Sequence, residues 1–321
     1  MRVGKVKESI LKRSVLRQVK RESISVQVQV HPVEGWTLAA PRAVYGAVNA
    51  VAASGALPSA LALTILMPED TEEKQLKELM KDINRLCLKE KVALVSGHTA
   101  VSRAVNTLVL AVTGIGESRT FGDGRLEDAD HVLNRYDDMD ILMVGHAGRE
   151  GAALLAIEKE EELKERYAPS YIDTAKYFYE DAGLADAAGS LFSAGAKRIH
   201  AIREGGVFGA LWELAALTKT GLSVDLKKIP IRQHTIEICE YFDLNPYMLL
   251  SGGCLLALCP DGEKALHDLK EIMDIDAGII GRTTSGNDRL IHYDRDTRYL
   301  EPPNMDEIYK VRPRPDSRLS G

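Results

Sequence analysis

Arg203-Glu204-Gly205-Gly206-Val207-Phe208-Gly209-Ala210-Leu211-Trp212-Glu213 is the stretch whose reading organises the rest of the chain. It reads as a tight glycine turn that opens directly into a helix. The pair Gly205-Gly206 supplies a backbone free to take positive φ and to approach a ligand closely. The helix that follows aims its first N–H groups and its positive dipole end back at the turn. That combination is a natural seat for an anion, most often a phosphate. A plain loop-to-helix junction uses the same residues, so the stretch alone leaves both readings open.

Working outward, helices are predicted near 150–165, 170–180 and 183–193, and a short piece around Ile199-His200 leads into the turn. Beyond it, 223–226 and 255–258 read as strands with a helix over 235–241 between them. Two more strands follow near 277–282 and 290–293. A proline-rich tail (Pro302-Pro303, Pro313, Pro315) closes the chain and is expected to be poorly ordered. Upstream, 141–144 starts this second domain, after a polar, glycine- and aspartate-rich connection between Glu117 and Asp137.

The first domain opens with an amphipathic helix carrying a basic face. Residues 24–30 alternate polar with Ile or Val, the period-two pattern of a half-buried strand. An alanine-rich helix over 41–54 ends at Gly55, and 61–66 is a strand. Thr71 is placed to cap a helix reaching Lys89. A short strand over 92–95 ends in a turn, Ser96-Gly97-His98-Thr99, and 107–115 is a strand. The order marks an α/β fold of mixed sheet type. The expected domains are 1–120 and 137–310, with 311–321 as a flexible tail.

Length and composition agree. The 321 residues suffice for two domains with a core each, and 45% hydrophobic with 27% charged residues is the balance of a water-soluble protein. A net charge of −6 argues against general nucleic-acid affinity. No apolar run is long enough for a transmembrane helix, and the basic first residues lack a secretory core. The cytoplasm is therefore the expected location, with Cys87, Cys239, Cys254 and Cys259 as reduced thiols without metal-ligand spacing. His98 and His200 each sit beside small residues at a predicted strand, as a general base or ligand would. No carboxylate partner accompanies either, so a hydrogen-bonding structural role is the simpler reading. Ser251-Gly252-Gly253-Cys254 is a second glycine turn, suited to close packing or to a ligand's approach. Walker-type and nucleophile-elbow motifs are absent.

Several stretches, in order, resemble the AIR synthase (PurM-like) superfamily, and within it the branch of HypE-type and AIR synthase-related proteins. They are Val48-Asn49-Ala50-Val51-Ala52-Ala53-Ser54-Gly55-Ala56, Ser96-Gly97-His98-Thr99-Ala100-Val101, Arg203 to Glu213, Lys228-Ile229-Pro230-Ile231-Arg232, and Leu244-Asn245-Pro246 running on to Leu250-Ser251-Gly252-Gly253. The resemblance implies a two-domain α/β (α+β) fold. Its N-terminal mixed-sheet domain pairs with a second copy through a shared, dimeric β-barrel, and its C-terminal domain is an α/β sandwich. It implies ATP in a cleft, held by glycine turns and by Mg²⁺ on aspartates. The shared chemistry is phosphorylation of an amide or carbamoyl oxygen, which HypE-type members use to dehydrate a carbamoyl group on a C-terminal cysteine.

The departures from that pattern are as informative. The family's glycine-rich acidic loop is missing where Glu22-Ser23-Ile24 runs straight into the strand. Its Asn-Asp stands here as Asn49-Ala50, its acidic Asp-Val-(Thr/Ser)-Glu-Gly-Gly as Ala201-Ile202-Arg203-Glu204-Gly205-Gly206, and its Gly-His-Thr-Glu as Gly97-His98-Thr99-Ala100. Alanine offers Mg²⁺ no oxygen ligand. The tail from Arg312 to Gly321 holds no cysteine. The resemblance thus implies a pocket for an anion or nucleotide lined by Asn49, Gly97, His98, Thr99, Arg203, Glu204, Gly205 and Gly206, with His98 and Arg203 as polar anchors and no assigned metal ligand or catalytic residue. Three readings follow. One is a catalytically degenerate homodimer, retaining at most that pocket, which acts as a binding or regulatory partner of another protein such as a maturation protein. The second is an active ATP-dependent enzyme that holds its metal through residues such as Glu204, Asp137 or Asp138. The third is a partner subunit for an intact paralogue.

Overall fold

The computed structural model describes residues 6, 8–15, 18, 26–118, 136–302 and 305–312. The chain builds two units, each around its own sheet. The first holds α1 (Glu8–Ser14), β1 (Val26–Glu34), α2 (Ala39–Ala53), β2 (Ala56–Met67), α3 (Glu73–Lys89), β3 (Ala93–Val101) and β4 (Val109–Ser118). The second begins with β5 (Asp140–Val144), α4 (Arg149–Glu158), α5 (Glu160–Leu163), α6 (Pro169–Lys176) and α7 (Ala185–Ser193). It continues through β6 (Arg198–Ile202), α8 (Gly206–Thr218), β7 (Gly221–Asp225), α9 (Gln233–Tyr241), β8 (Cys254–Cys259) and α10 (Gly262–Ile272). β9 (Ala277–Thr284), β10 (Arg289–Tyr293), β11 (Asp296–Tyr299) and α11 (Ile308–Val311) complete it. This is the two-domain mixed α/β fold that the resemblance implies.

The first sheet has the order β1-β4-β2-β3, parallel only between β2 and β3. One face carries α2, whose residues are buried along almost its whole length. A helix without a polar face must be enclosed, and α2 is wedged between this sheet and the second unit. Its alanines allow that close approach, and the strand below yields too. A Cβ on Gly114 would lie 2.9 Å from the Ala47 carbonyl oxygen, and one on Gly116 would lie 2.4 Å from Val51. Those two glycines therefore serve packing of helix on sheet. The opposite face is open, and Val28 and Val30 on β1 are exposed there.

The second sheet runs β11-β10-β7-β9-β5-β8-β6. β8 reads Cys-Leu-Leu-Ala-Leu-Cys and every residue of it is buried, as a strand covered on both faces requires. Its two thiols are pushed up to about 12 by burial, so they act as small apolar side chains. All four cysteines are buried and unpaired.

The structure corrects the sequence reading in several places. Ser96 to Thr99 is not a turn; β3 continues through it to Val101, because β2 supplies a parallel partner as far as Met67. Val95 is accommodated by an irregularity in that register. The cap of α3 is Glu72, reciprocated by Gln75 in a capping box, rather than Thr71. α10 and β11 were not anticipated, although Asp261 caps α10 by accepting from the Lys264 N–H at 3.0 Å. The final segment is also more ordered than its prolines suggest, since Asp306, Glu307 and Ile308 are buried. The opening helix beyond Val15 (Gln18 apart), the missing loop at 22–24, the connection over 119–135 and residues 313–321 lie outside the described residues.

Candidate functional site

The glycine turn sits where β6 ends and α8 begins. Gly205 (φ 86°) is the left-handed N-cap of α8, and Gly206 also has positive φ (61°). A Cβ on Gly206 would lie 2.6 Å from the Tyr247 carbonyl oxygen, so both conformation and space demand glycine. The Gly205 N–H is not left for a ligand. It donates to Asp306 Oδ2 at 2.6 Å, while Asp306 Oδ1 accepts from Leu250 N–H at 3.1 Å and Ile308 N–H at 3.0 Å. The acceptor in this seat is the chain's own Asp306 carboxyl group, delivered by the segment that leads into α11.

Burial lifts the Asp306 pKa from 3.8 to about 7, against the pull of its three N–H donors. Folded Asp306 then holds a proton that the unfolded chain releases between those two values. Its contribution to stability is full below pH 3.8 and lost as pH rises through about 7. Asp306→Asn should therefore gain on the parent protein across that window, read by urea unfolding at each pH. A pH-independent difference would mean that the N–H donors keep the carboxylate ionised throughout.

Arg203 is engaged through one of its nitrogens. Its Nη1 donates to His31 Nδ1 at 3.2 Å, which leaves the imidazole proton on Nε2. Burial, then the positive charges of Arg203 and Arg42, press the His31 pKa down to about 3 and hold the ring neutral. Beside it, Arg42 Nε donates to Glu150 Oε1 at 2.7 Å with both side chains more than nine-tenths buried. Arg42 Nη1 donates to the Glu34 carbonyl at 3.1 Å, and Glu150 Oε2 accepts the Gly252 N–H at 3.2 Å. A Cβ on Gly252 would meet that same Glu150 oxygen at 2.2 Å and the Tyr179 hydroxyl at 2.6 Å. Thus the second glycine turn closes onto a carboxyl group as the first does. His31 and Arg42 come from the first unit, and Glu150, Arg203 and Asp306 from the second, so this polar cluster is the joint between them.

The other candidate residues are dispersed. Asn49 is buried in α2, where its Nδ2 donates to the Ala182 carbonyl and its Oδ1 accepts the Leu184 N–H, both at 2.7 Å. Both ends of its amide bridge the units. Gly97, His98 and Thr99 lie exposed on β3, the edge strand of the first sheet. His98 pairs in register with exposed Thr64 and shares the open face with Val28 and Val30. Glu204 is half-buried beside the turn. His200 Nε2 lies 3.0 Å from Glu213 Oε2.

Of the alternative metal carriers, Asp138 pairs with Arg282 at 3.3 Å. Among the described residues, no three His, Cys, Asp or Glu side chains gather closely enough to hold a metal. Among the described residues, the groups that the resemblance assigns to Mg²⁺-ATP do not fit it: the Gly205 N–H is bonded to Asp306, both ends of the Asn49 amide are bonded within the chain, and alanines stand at 50 and 100. Sequence reasoning missed Asp306, Arg42 and Glu150, because nothing near them in the chain announces their partners.

Comparison with known proteins bears on this geometry. The family model described as AIR synthase related protein, N-terminal domain, matches residues 15–118, and its C-terminal counterpart matches 138–293. A putative hydrogenase expression/formation protein of Methanocaldococcus jannaschii is 27% identical over 78% of this chain and 71% of its own length. The carbamoyl dehydratase HypE of Rhodobacter capsulatus is 26% identical over 70% of this chain, which spans 62% of that protein. A crystal structure of the hydrogenase maturation protein HypE in complex with ATP superimposes with a TM-score of 0.68, covering 95% of this chain and 97% of that one at 18% identity.

Proposed function

This chain belongs to the AIR synthase-related family, in its HypE-like branch, and we propose that it is a catalytically degenerate member, a dimeric scaffold that has exchanged nucleotide binding for internal closure. One observation carries the reading. The Gly205 N–H, which would face a phosphate, bonds to Asp306 of the same chain. The bond of Arg203 to His31 and the commitment of Asn49 to the Ala182–Leu184 segment support it. Phosphoryl transfer draws its rate from metal and cationic groups aimed at developing charge, and here the Gly205 N–H and the Asn49 amide are bonded within the chain and alanines stand at 50 and 100.

Calorimetric titration of ATP, first with Mg²⁺ and then with EDTA, tests the proposal. The expected result is no binding in either condition. Micromolar affinity that needs Mg²⁺ would instead make this an ATP-dependent enzyme that phosphorylates an amide or carbamoyl oxygen, as the named activity of the Rhodobacter relative suggests. Binding indifferent to metal, and abolished by Arg203→Ala, would place an anion pocket at the turn.

The scaffold half of the proposal rests on the open sheet. Val28 and Val30 on the open face, and Leu94, Val95 and Val101 along the edge strand β3, are 41–58% exposed, and β3 presents an unpaired edge among the described residues. An exposed apolar edge invites pairing with another chain. A second copy covering that face would shield His98 as well, and would supply the barrel that the family resemblance implies. Sedimentation equilibrium should give twice the chain mass, and Val30→Glu with Val101→Glu should reduce it to one. A monomeric parent protein would remove the dimer from the proposal.

A further inference from the structure

At the start of α4, lined by Gly145, His146 and Arg149, lies a cleft of about 610 Å³ that the family reading leaves unused. Its floor is the turn Gly145-His146-Ala147-Gly148, which connects the end of β5 to the start of α4. His146 is only 3% exposed, and its Nδ1 has no hydrogen-bond partner. Buried polar atoms are seldom left so, and one that lines a cavity asks for an explanation. Its ring stands edge-on against Phe178 at 4.8 Å between centroids.

Arg149, beside it, is fixed by main-chain oxygens alone. Nη1 donates to the Gly253 carbonyl at 3.2 Å, Nη2 to Asp181 at 2.5 Å, and Nε to Phe178. No carboxylate among the described residues lies within ion-pair distance of it, so its charge is held in place and unanswered. Arg232 lies over the Phe178 ring at 5.3 Å and uses Nε and Nη2 on Asp276, which leaves further donors among its five. Asp181 is answered by Lys89 at 2.9 Å. The wall opposite carries Ile272, Met273 and Ile275 interleaved with Asp274 and with Asp276, the latter paired to Arg232. A volume of this size, with convergent polar groups and apolar side chains, has the make-up of a small-molecule site.

We propose that this cleft binds a small organic oxyanion, a phosphate monoester or a carboxylate, with its charged end on Arg149, Arg232 and His146 and its apolar body against Phe178 and Met273. Burial first, then Arg149 and Arg232, bring the His146 pKa down to about 3, against Asp276 and the Ala147 main chain, so the ring is neutral. A neutral imidazole keeps an N–H to donate to the anion. The site is separate from the Gly205 turn and stands or falls independently of nucleotide binding there.

The test is calorimetric titration of the whole protein with phenyl phosphate, benzoate and inorganic phosphate, repeated on His146→Phe and Arg232→Gln. Arg149 is left intact because it ties three carbonyls together. Binding of an aryl anion, weakened about tenfold or more in each variant, is the expected result. Preference for phenyl phosphate or for benzoate then tells which oxyanion the site takes. No heat with either aryl anion overturns the proposal, and so does binding that both variants leave unchanged. Inorganic phosphate binding as tightly as phenyl phosphate overturns the apolar half of the assignment. Histidine ring signals in the NMR spectrum offer a second readout: the resonance lost in His146→Phe should be the one that moves during titration.

Discussion

Glu150→Ala is expected to destabilise the protein by about 3–5 kcal/mol, the usual effect of removing one partner from a buried ion pair. The loss arises mainly from what stays behind. Arg42 would remain in a space where both side chains are more than nine-tenths buried, 2.7 Å from a missing oxygen. The Gly252 N–H would lose its acceptor as well. The pair itself is not a large source of stability, since desolvating two charges offsets most of their attraction. The double variant Arg42→Met with Glu150→Leu should therefore cost much less than the sum of the single ones. Urea unfolding of all four proteins would decide. Single variants losing less than about 1 kcal/mol would mean that water reaches the pair and that the two units part readily.

Asp306→Ala should produce the second large effect, with a functional signature. It strips the acceptor from the N–H groups of Gly205, Leu250 and Ile308 together. A buried donor left unsatisfied costs about 1–3 kcal/mol, so a loss of about 3 kcal/mol or more is expected. The variant also empties an anion seat at the start of a helix. Phosphate or sulfate should then restore stability in the variant, rising with concentration as any ligand that binds only the folded state requires, while leaving the parent unchanged. Equal responses of variant and parent to phosphate would mean that Asp306 does not compete for that seat. Restoration in the variant alone would make the C-terminal segment the element that closes the turn.

Much of this molecule was legible because the physics is local. The alternation in β1 and the unbroken apolar run of β8 depend on residues within a few positions of one another. The Gly205-Gly206 turn announced its positive φ and its helix in the same way. Even the absences carried information, since alanine at 50 and 100 removes an oxygen wherever the chain places it. β3 was misjudged because Gly97 reads as a turn locally, whereas β2 some thirty residues earlier decides that it extends.

Which charge answers which was beyond the sequence. Asp306 reaches Gly205 across 101 residues, Arg42 reaches Glu150 across 108, and Arg203 reaches His31 across 172. No spacing rule connects such partners. They meet because β1, α2, the start of α4, the turn before α8 and the segment leading into α11 come together at one joint, and burial makes each donor and acceptor find whatever lies opposite. The sequence by itself determined a glycine turn opening into a helix at Gly205-Gly206 and alanines at positions 50 and 100. Only the tertiary structure decided that the occupant of that turn is a carboxyl group of the same chain, because filling the seat depends on where distant segments come to rest.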